Sequence, residues 1–462
     1  MSHGMSSARG PLFLSDMFQS DEIRSFFEAP AMLRRYLEIE VAIAEVEGSL
    51  GLIPEDAAQA LANELTVDAI DMDRFHSDLE NTGFPIVPLL RQVVDLVSEE
   101  SAQVVHWGAT TQDIMDTALV LQMREALRLF RVRISRLREV LADHADTHRS
   151  SVMLGRSQLQ HALPTTFGLK AAVWLSMFQR HAMRLTQLEE RLYVVQFGGA
   201  VGTLAALGTA GLTVRDALAA RLELGVAPTA WHTTRDSLAE VVSYLANLTA
   251  SLGKIGQDIL LLAQSDVGEV RERWMPGRGV SSTMPQKRNP ISAQQITVVA
   301  SSVADLSGAM FRASVHDHER ASGNWMKEWT VIPEAFVVTG KALDLTIDLL
   351  EGLEVDIDRM RSNVEADEFI MAEAVMMALA PHLGRAGAHE IIAGAVETAV
   401  DSNKSFQIAL AAIPAVTDHL SDVEIEHLLA PHNYLGSSIE MIDQTLAGEE
   451  PSQEEEPGRE TR

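Results

Sequence analysis

The sequence of 462 residues contains no cysteine and no long apolar run. Without cysteine, disulfides, thiolate metal ligands and cysteine nucleophiles are all excluded, which fits a reducing compartment. No apolar stretch approaches the roughly 18 residues that a membrane-spanning helix needs. The first 11 residues lack the apolar core of a secretory signal, and we expect them to be disordered. We therefore expect a soluble cytoplasmic protein that does not enter a membrane.

Basic residues are also scarce. The chain has 37 Lys and Arg against 65 Asp and Glu, which gives a formal net charge of −28. This charge disfavours binding to nucleic acid, although a local cationic pocket for a small anion is compatible with it. Part of the acidic excess lies in residues 448–462, which we expect to form a disordered tail.

Apolar residues recur at helical spacing through much of the chain. They step by three and four residues from Asp236 to Leu262, and again from Val120 to Leu141, which predicts two long amphipathic helices. Further helices are expected at residues 31–50, 166–195, 290–311, 332–353 and 372–402. No convincing run has the period of two that indicates a strand. The predicted fold class is all-α, with a central bundle of long helices.

The same patterns suggest a division into domains and an assembly. We expect a disordered start at 1–11, an N-terminal helical domain at 12–109, a central long-helix bundle at 110–353, a C-terminal helical domain at 354–447 and the acidic tail at 448–462. Long helices with an apolar repeat near 3.5 commonly pack against other subunits, which predicts a homo-oligomer. A monomeric bundle whose stripes face each other is the alternative.

Three polar segments interrupt the helices. HWGATTQD at 106–113 leads into a long helix, where Thr110 and Thr111 could seat a carboxylate at the helix N-terminus or simply cap it. GRSQLQHALPTT at 155–166 contains His161, and a lone histidine is more often structural than a proton carrier.

The third polar segment, GVSSTMPQKRNP at 279–290, cannot continue a helix because it contains two prolines. The segment contains two adjacent serines and, a few residues later, Lys287, Arg288 and Asn289. This combination suits the binding of an anion. An ordinary surface turn is the alternative. Composition alone does not separate the two readings.

Together, SSTMPQKRNP at 281–290 and HWGATTQD at 106–113 resemble the fumarase/aspartase superfamily, whose signature runs SSxMPxKxNP. The resemblance implies a homotetramer in which long helices from four subunits form a twenty-helix core. It also implies active sites that are each shared between three subunits. The implied reaction makes or breaks a bond from carbon to a heteroatom, next to a carboxylate of a small polycarboxylate substrate.

Within this superfamily, nearly the whole chain is most similar to the 3-carboxy-cis,cis-muconate cycloisomerases. The similar segments are QHALP at 160–164, QFGGAVGTL at 196–204, WHTTRD at 231–236, HER at 318–320, IMAEA at 370–374 and NYLG at 433–436. Adenylosuccinate lyases are similar over 106–113 and 281–290 and less so elsewhere. The implied activity is a cycloisomerisation in aromatic-compound catabolism that makes or breaks a C–O bond β to a carboxylate.

The resemblance also implies roles for particular residues. Ser281 would be the base or acid at carbon, on a mobile loop, and His161 is a second candidate catalytic residue. The remaining implied residues would bind substrate: His106, Thr110, Thr111, Gln158, Gln160, Arg235, Ser282, Lys287, Asn289 and Arg320. The reaction passes through a doubly charged aci-carboxylate, so cations and N–H donors must surround that carboxylate. A serine base also needs such donors to lower the pKa of its hydroxyl.

Two positions depart from the related families. Gln158 stands where adenylosuccinate lyases have the histidine that protonates the leaving amine, and Gln286 stands where a histidine is usual. Cycloisomerisation tolerates Gln158 because its leaving group is a stable carboxylate. Elimination of nitrite from nitrosuccinate would tolerate it as well, whereas an adenylosuccinate-type reaction would lack its acid. Whether His161 takes over an acid role is an open hypothesis.

Two alternatives from other classes are a catalytically silent structural protein, such as the lens crystallins that resemble argininosuccinate lyase, and a helical scaffold. No metal or organic cofactor is implied. His144 and His148 have a spacing that could bind zinc on a helix, but a solvated helix face is the preferred interpretation because no third ligand is evident. The glycines at 198–202 follow no predicted strand, which argues against a dinucleotide site.

Overall fold

The computed structural model describes Leu14 and residues 16–448. The predicted disordered segments 1–11 and 448–462 lie outside these residues, apart from Gly448. Among the helices of the described chain, none combines the length and the apolar character that a membrane crossing requires.

The described chain begins with helices that precede the long ones. They are α1 (Asp21–Ser25), α2 (Ala29–Ser49), α3 (Glu55–Glu64), α4 (Met72–Thr82), α5 (Ile86–Leu96) and α6 (Glu99–Ala102), with 3-10 turns at Asp16–Phe18 and Val67–Ala69.

The middle of the chain contains the long helices and most of the short strands. In order they are α7 (Thr111–Thr147), β1 (Val152–Ser157), β2 (Gln160–Thr166), α8 (Phe167–Leu192), β3 (Val194–Val195), a 3-10 turn (Ala205–Ala210), α9 (Gly211–Arg221), β4 (Gly225–Val226), α10 (Asp236–Leu262), β5 (Val270–Arg271), α11 (Ile291–Ala313) and α12 (Asn324–Glu351).

The last part of the described chain is again made of shorter elements around one long helix. These are β6 (Glu354–Val355), α13 (Ile357–Glu365), a 3-10 turn (Glu368–Met371), α14 (Ala372–Ser402), α15 (Phe406–Ala411), α16 (Pro414–Thr417), α17 (Asp422–Leu429), a 3-10 turn (Pro431–Asn433) and α18 (Ser438–Ala447).

The predicted all-α class is confirmed, and α10 begins and ends where its apolar stripe predicts. The start predicted at residue 332 is wrong: α12 begins at Asn324 and includes Pro333, a residue that more often marks the beginning of a helix. The strands were not predicted. The β1 and β2 strands pair antiparallel, but their burial does not alternate, so their sequence lacks the usual period of two.

The chain divides into two compact units. The first contains the described residues up to Ile134 together with His181–Gly253 and Gln295–Leu345. The second contains Ser135–Arg180, Lys254–Gln294 and the described residues from Thr346 onward. The boundaries fall inside long helices, so the units do not follow consecutive stretches of sequence. The division into domains at residues 109 and 353 stays a prediction.

The core of the first unit is built where α1, α7 and α12 meet. The Phe336 ring lies 5.6 Å from that of Phe27 and stacks at 5.7 Å on Phe130. At Gly340 the helices are so close that a Cβ atom would lie 2.6 Å from Ile23. This close packing fixes α12 against α7, the helix whose N-terminus carries the first polar segment.

In the second unit, a small apolar cluster supports the β1–β2 hairpin. Leu154 of β1 packs with Val364 of α13, with Ile370 and Met371 of the 3-10 turn and with Ala374 of α14. All five are buried. The hairpin, which carries the second polar segment, is therefore held on one apolar side by elements that lie about 200 residues further along the chain.

Candidate functional site

The N-terminus of α7 carries two hydroxyl groups that are free to bind a ligand. Thr110 and Thr111 are half-buried, and in the described part of the chain neither hydroxyl has a hydrogen-bond partner. The Thr110 N–H donates to Asp113 Oδ2 at 3.1 Å, as in one half of a capping box. Capping thus uses the backbone of Thr110 and leaves both hydroxyls at a helix terminus that favours anions.

Asp113 organises the loop beside this terminus. Its buried carboxylate accepts hydrogen bonds from the Gly198 and Gly199 N–H groups at 3.0 and 2.9 Å. It also accepts one from His232 Nε2 at 2.7 Å, besides the bond from Thr110. Asp113 is therefore the acceptor that joins the glycine loop to α7.

Arg320 binds the same glycine loop from its other side. It donates to the Gly199 carbonyl oxygen at 3.0 Å and to Gln112 Oε1 at 2.9 Å. Its Nε is buried without a partner, and no carboxylate pairs with it within the described residues. Burial lowers the pKa of Arg320 despite the opposing charges of Asp113 and Asp116. Arg320 is thus a half-buried cation that no carboxylate of the described chain neutralises, which suits the binding of an anion.

His106 is paired with a carboxylate from α2. Its Nδ1 lies 2.7 Å from Glu40 Oε1, and the Glu40 side chain is completely buried. Burial of His106 acts to lower its pKa, but the hydrogen bond and the charges of Glu40 and Asp113 outweigh it, so the pKa is raised. The positive φ of 60° at His106 shows that the backbone is constrained here. The pair thus favours the protonated form of a partly exposed ring near the start of α7.

Arg235 corrects a prediction. Its side chain is entirely buried, where it forks onto Asp116 at 2.6 and 2.9 Å and binds Glu328. Burial alone would lower the Arg235 pKa, but the two carboxylates raise it, so the ion remains charged. Glu328 also lies 3.0 Å from His316 Nε2. Arg235 offers no exposed atom to a substrate, so it acts by holding α10 and α12 to α7.

Ser281 is in the second unit, in a loop that gives it two N–H donors. Its Oγ accepts hydrogen bonds from the Met284 and Thr283 N–H groups at 3.0 and 3.2 Å. Such donors stabilise a serine alkoxide, the form that removes a proton from carbon. Ser282 and Lys287 are exposed, and in the described chain the Lys287 ammonium has no partner.

The base of this loop is closed by backbone contacts. Val280 and Arg288 form an antiparallel bridge, and the Gly279 carbonyl oxygen accepts from the Asn289 N–H at 2.9 Å and from its Nδ2 at 3.0 Å. Asn289 therefore uses one amide hydrogen to shape the loop and keeps the other, with Oδ1, for a ligand. Gly279 has φ of +66°, and a Cβ there would lie 2.4 Å from the Asn289 carbonyl oxygen, so the loop requires glycine.

The turn of the β1–β2 hairpin carries the second polar segment. Gln158 and Leu159 have φ of 53° and 61°, and a type I′ turn needs both values to be positive. Gln158 and Gln160 are exposed, and the His161 ring contacts Asp367. Nothing in the sequence signalled Asp367, which lies 206 residues away.

His144 and His148 do not form the solvated face that we expected. Both are half-buried; His144 Nε2 lies 2.8 Å from the Leu350 carbonyl oxygen, and His148 Nδ1 lies 3.1 Å from Ser151 Oγ. Each ring thus has a structural partner. Among the described residues, no group of three or more His, Asp or Glu side chains is placed to hold a metal ion.

The predicted site residues therefore fall into two groups. The first unit holds His106, Thr110, Thr111, Arg235 and Arg320, and the second holds Gln158, Gln160, His161, Ser281, Ser282, Lys287 and Asn289. Within each group, all but Arg235 keep polar atoms that a ligand could reach. Their roles in binding and catalysis stay predictions.

Comparison with known families assigns the chain. A model described as lyase matches residues 20–304, and one described as adenylosuccinate lyase C-terminus matches residues 368–445. The chain belongs to this lyase family. As the two polar motifs indicated, it is an enzyme of the fumarase/aspartase superfamily. The alternatives of a silent structural protein and of a scaffold are thereby set aside.

The lyase resembles characterised relatives over nearly its whole length. It is 42% identical to a 3-carboxy-cis,cis-muconate cycloisomerase of Bradyrhizobium diazoefficiens, over 96% of this chain and 99% of the relative. It is 37% identical to a nitrosuccinate lyase of Streptomyces davaonensis, over 90% of each protein. The solved β-carboxy-cis,cis-muconate cycloisomerase of Acinetobacter calcoaceticus superposes with a TM-score of 0.89 at 35% identity, over 94% of this chain and 99% of that one.

The revised role of Arg235 leads to a stability prediction for the lyase. Arg235→Met leaves Asp116 and Glu328 buried without their cation, so we expect the free energy of unfolding to fall by about 3–5 kcal/mol. The matched control is Arg191→Met, whose pair with Glu240 is exposed, so its loss should leave the melting temperature nearly unchanged. Thermal melting measures both. A raised KM with an unchanged melting temperature in Arg235→Met would restore the substrate-binding role.

Glu47 leads to a prediction about pH. It is fully buried on α2 and neither of its oxygens has a hydrogen-bond partner in the described chain, so burial, and then Glu40, raise its pKa to about 8. Its contribution to stability is thus greatest below the unfolded pKa of about 4.3 and is lost as the pH rises towards 8. Because glutamine does not titrate, the melting temperature of Glu47→Gln relative to wild type should rise between pH 5 and pH 8.5.

The control for this pH dependence is Glu80→Gln, which changes an exposed carboxylate. The fixed cost of burying an amide cancels because only the change with pH is compared. A difference between Glu47→Gln and wild type that stays constant across the pH range would show that Glu47 is ionised in the folded protein.

Proposed function

We propose that this lyase-family enzyme interconverts 3-carboxy-cis,cis-muconate and its lactone. In the lactone-forming direction, a carboxylate oxygen bonds to the carbon β to a second carboxylate, and the carbon between them gains a proton. Ser281 supplies that proton, and in reverse its alkoxide removes it. The supporting observation is the pair of N–H groups that donate to Ser281 Oγ, because they stabilise the alkoxide.

The cationic and hydroxyl groups suit a tricarboxylate substrate. Lys287 and Asn289 would hold the carboxylate on which charge builds up, while Thr110 and Thr111 at the start of α7 would hold another. Arg320 would add a cation to the second group, and the raised pKa of His106 favours a second positive charge there. Gln158 and Gln160 would be uncharged contacts, and His161 is the candidate acid for the departing oxygen.

A fumarate-releasing lyase that expels nitrite from nitrosuccinate is the second candidate. It is favoured by the similarity to the Streptomyces relative, which is nearly as great as that to the cycloisomerase. Gln158 fits both reactions because both leaving groups are stable anions. The same residue disfavours cleavage of adenylosuccinate, whose amine must be protonated as it leaves.

The deciding experiment is an ultraviolet assay of the purified enzyme with 3-carboxymuconate, nitrosuccinate, adenylosuccinate and argininosuccinate. We expect turnover of 3-carboxymuconate and a loss of kcat of about 10²- to 10⁴-fold in Ser281→Ala. Ser402→Ala, at the exposed end of α14, is the matched control and should retain full activity. Turnover of another acid with none of 3-carboxymuconate would refute the proposed substrate.

We also propose a cytoplasmic homotetramer in which subunits share active sites. The support is a set of exposed apolar side chains on the long helices: Val132, Val173, Met183, Val298 and Phe311, which are 65, 54, 62, 49 and 58% exposed. Such side chains are what a bundle between subunits would bury.

Light scattering should give a mass near 200 kDa, since one chain is 50.5 kDa. Phe311→Glu should lower that mass, whereas Val423→Glu, at a 75% exposed position of α17, should leave it unchanged. Mixed tetramers of Ser281→Ala and Arg320→Ala chains should regain activity if each site combines residues of different subunits. A mass of about 50 kDa for the wild type would contradict the tetramer.

A further inference from the structure

His161 contacts Asp367, a residue to which the proposed mechanism gives no role. The imidazole Nδ1 lies 2.8 Å from Asp367 Oδ2, and the two side chains are 47% and 28% exposed. An ionised carboxylate can only accept a hydrogen bond, so Nδ1 carries the shared hydrogen. The second ring nitrogen, Nε2, is then the one available to a substrate.

Asp367 is itself held in place. Its other oxygen, Oδ1, accepts a hydrogen bond from the Phe369 N–H at 3.2 Å, which caps the 3-10 turn at Glu368–Met371. That turn packs through Ile370 and Met371 on the same apolar cluster as the hairpin. One carboxylate oxygen of Asp367 thus accepts a backbone hydrogen bond and the other contacts the imidazole. The cap holds the carboxylate in its position next to the ring.

The strand that carries His161 is equally constrained. His161 is opposite Arg156 in the β1–β2 register, and Arg156 forks onto Glu269 at 2.9 and 2.7 Å. Glu269 is completely buried and also accepts from Asn363 Nδ2 at 2.8 Å. Two independent carboxylate contacts therefore fix both sides of the hairpin end.

Few other charges could replace Asp367. Arg156 is already bound to Glu269, and Glu368 accepts from the Phe406 N–H at 2.8 Å. The remaining ionisable side chains on α13, which packs on β1, are Asp358, Arg359, Arg361 and Glu365. In the described chain, none of these four side chains forms a hydrogen bond or an ion pair with His161.

We propose that Asp367 is a positioning residue, which holds His161 so that Nε2 is presented to the carboxylate oxygen that is transferred in the reaction. The inference rests on the proposed function and gives it the donor that Gln158 cannot supply. In dyads of this geometry, the carboxylate fixes the tautomer and stabilises the imidazolium when it forms. The protonated Nε2–H then donates to the oxygen as its bond to carbon breaks, and no covalent step on histidine is needed.

A graded set of substitutions separates this role from capping. Serine caps a helical turn as aspartate does but cannot reach the imidazole, whereas asparagine keeps both an acceptor and the cap without the charge. We expect Asp367→Ser to lower kcat on the order of 10- to 100-fold, with a much smaller change in KM. Asp367→Asn should fall between it and wild type, and both variants should keep the wild-type melting temperature.

The double variant His161→Asn/Asp367→Ser provides the decisive comparison. If Asp367 acts only through His161, the double variant is no slower than His161→Asn alone. Glu365→Gln, an exposed carboxylate two residues away, is the control and should retain full kcat. Losses that multiply in the double variant, or an Asp367→Ser enzyme with wild-type kcat, would overturn the proposal.

Crystal structures test the contact without turnover, and so separate this inference from the proposed function. The wild-type crystal should show Nδ1 against Asp367, and the Asp367→Ser crystal should show the imidazole in more than one orientation. If the enzyme turns over none of the four substrates in the assay, the proposed function is wrong, but the crystals still test the contact between His161 and Asp367. An imidazole placed alike in the two crystals would show that Asp367 does not hold it.

Discussion

The position of the first polar segment depends on one carboxylate, Asp113, which accepts four hydrogen bonds. Asp113 is buried, and a buried carboxylate is tolerable only when hydrogen bonds replace its lost hydration. Four donors do this: two glycine N–H groups, the Thr110 N–H and the His232 ring. Those donors come from three stretches of sequence that meet only in the folded unit. The carboxylate thereby sets the position of the helix terminus where Thr110 and Thr111 keep their hydroxyls free.

Much of the fold could be predicted because helical periodicity is a local property. The apolar stripe of α10 gives both of its ends correctly, since every third or fourth residue faces the core. The β1–β2 hairpin could not be predicted in this way because tertiary packing, through Leu154, determines which of its residues are buried. Arg235 illustrates the same limit for the site. Its sequence context indicated an anion-binding cation, but Asp116 and Glu328, which neutralise it, are distant in the sequence.

Charge pairing distinguishes the cations that shape the fold from those left for a ligand. In a chain of net charge −28, most arginines of the described residues find a carboxylate, as Arg235 and Arg156 do. Lys287 and Arg320 have none in the described chain. An acidic protein in which a few cations stay unpaired concentrates its attraction for a polycarboxylate at those few places. This is why the overall charge disfavours nucleic acid and yet is compatible with an anion site.

Gln158 limits which leaving groups the enzyme can release. A family member with glutamine at 158 can release only groups that leave as stable anions, unless another donor is present. The proposed donor is the His161–Asp367 pair, which is at the end of the hairpin and partly exposed to solvent, so it would assist a carboxylate oxygen without being essential to it. A carboxylate needs a hydrogen bond rather than a full proton transfer, which lowers the demand on the imidazole. A weak hydrogen-bond donor such as the His161 imidazole would therefore suffice for a carboxylate leaving group.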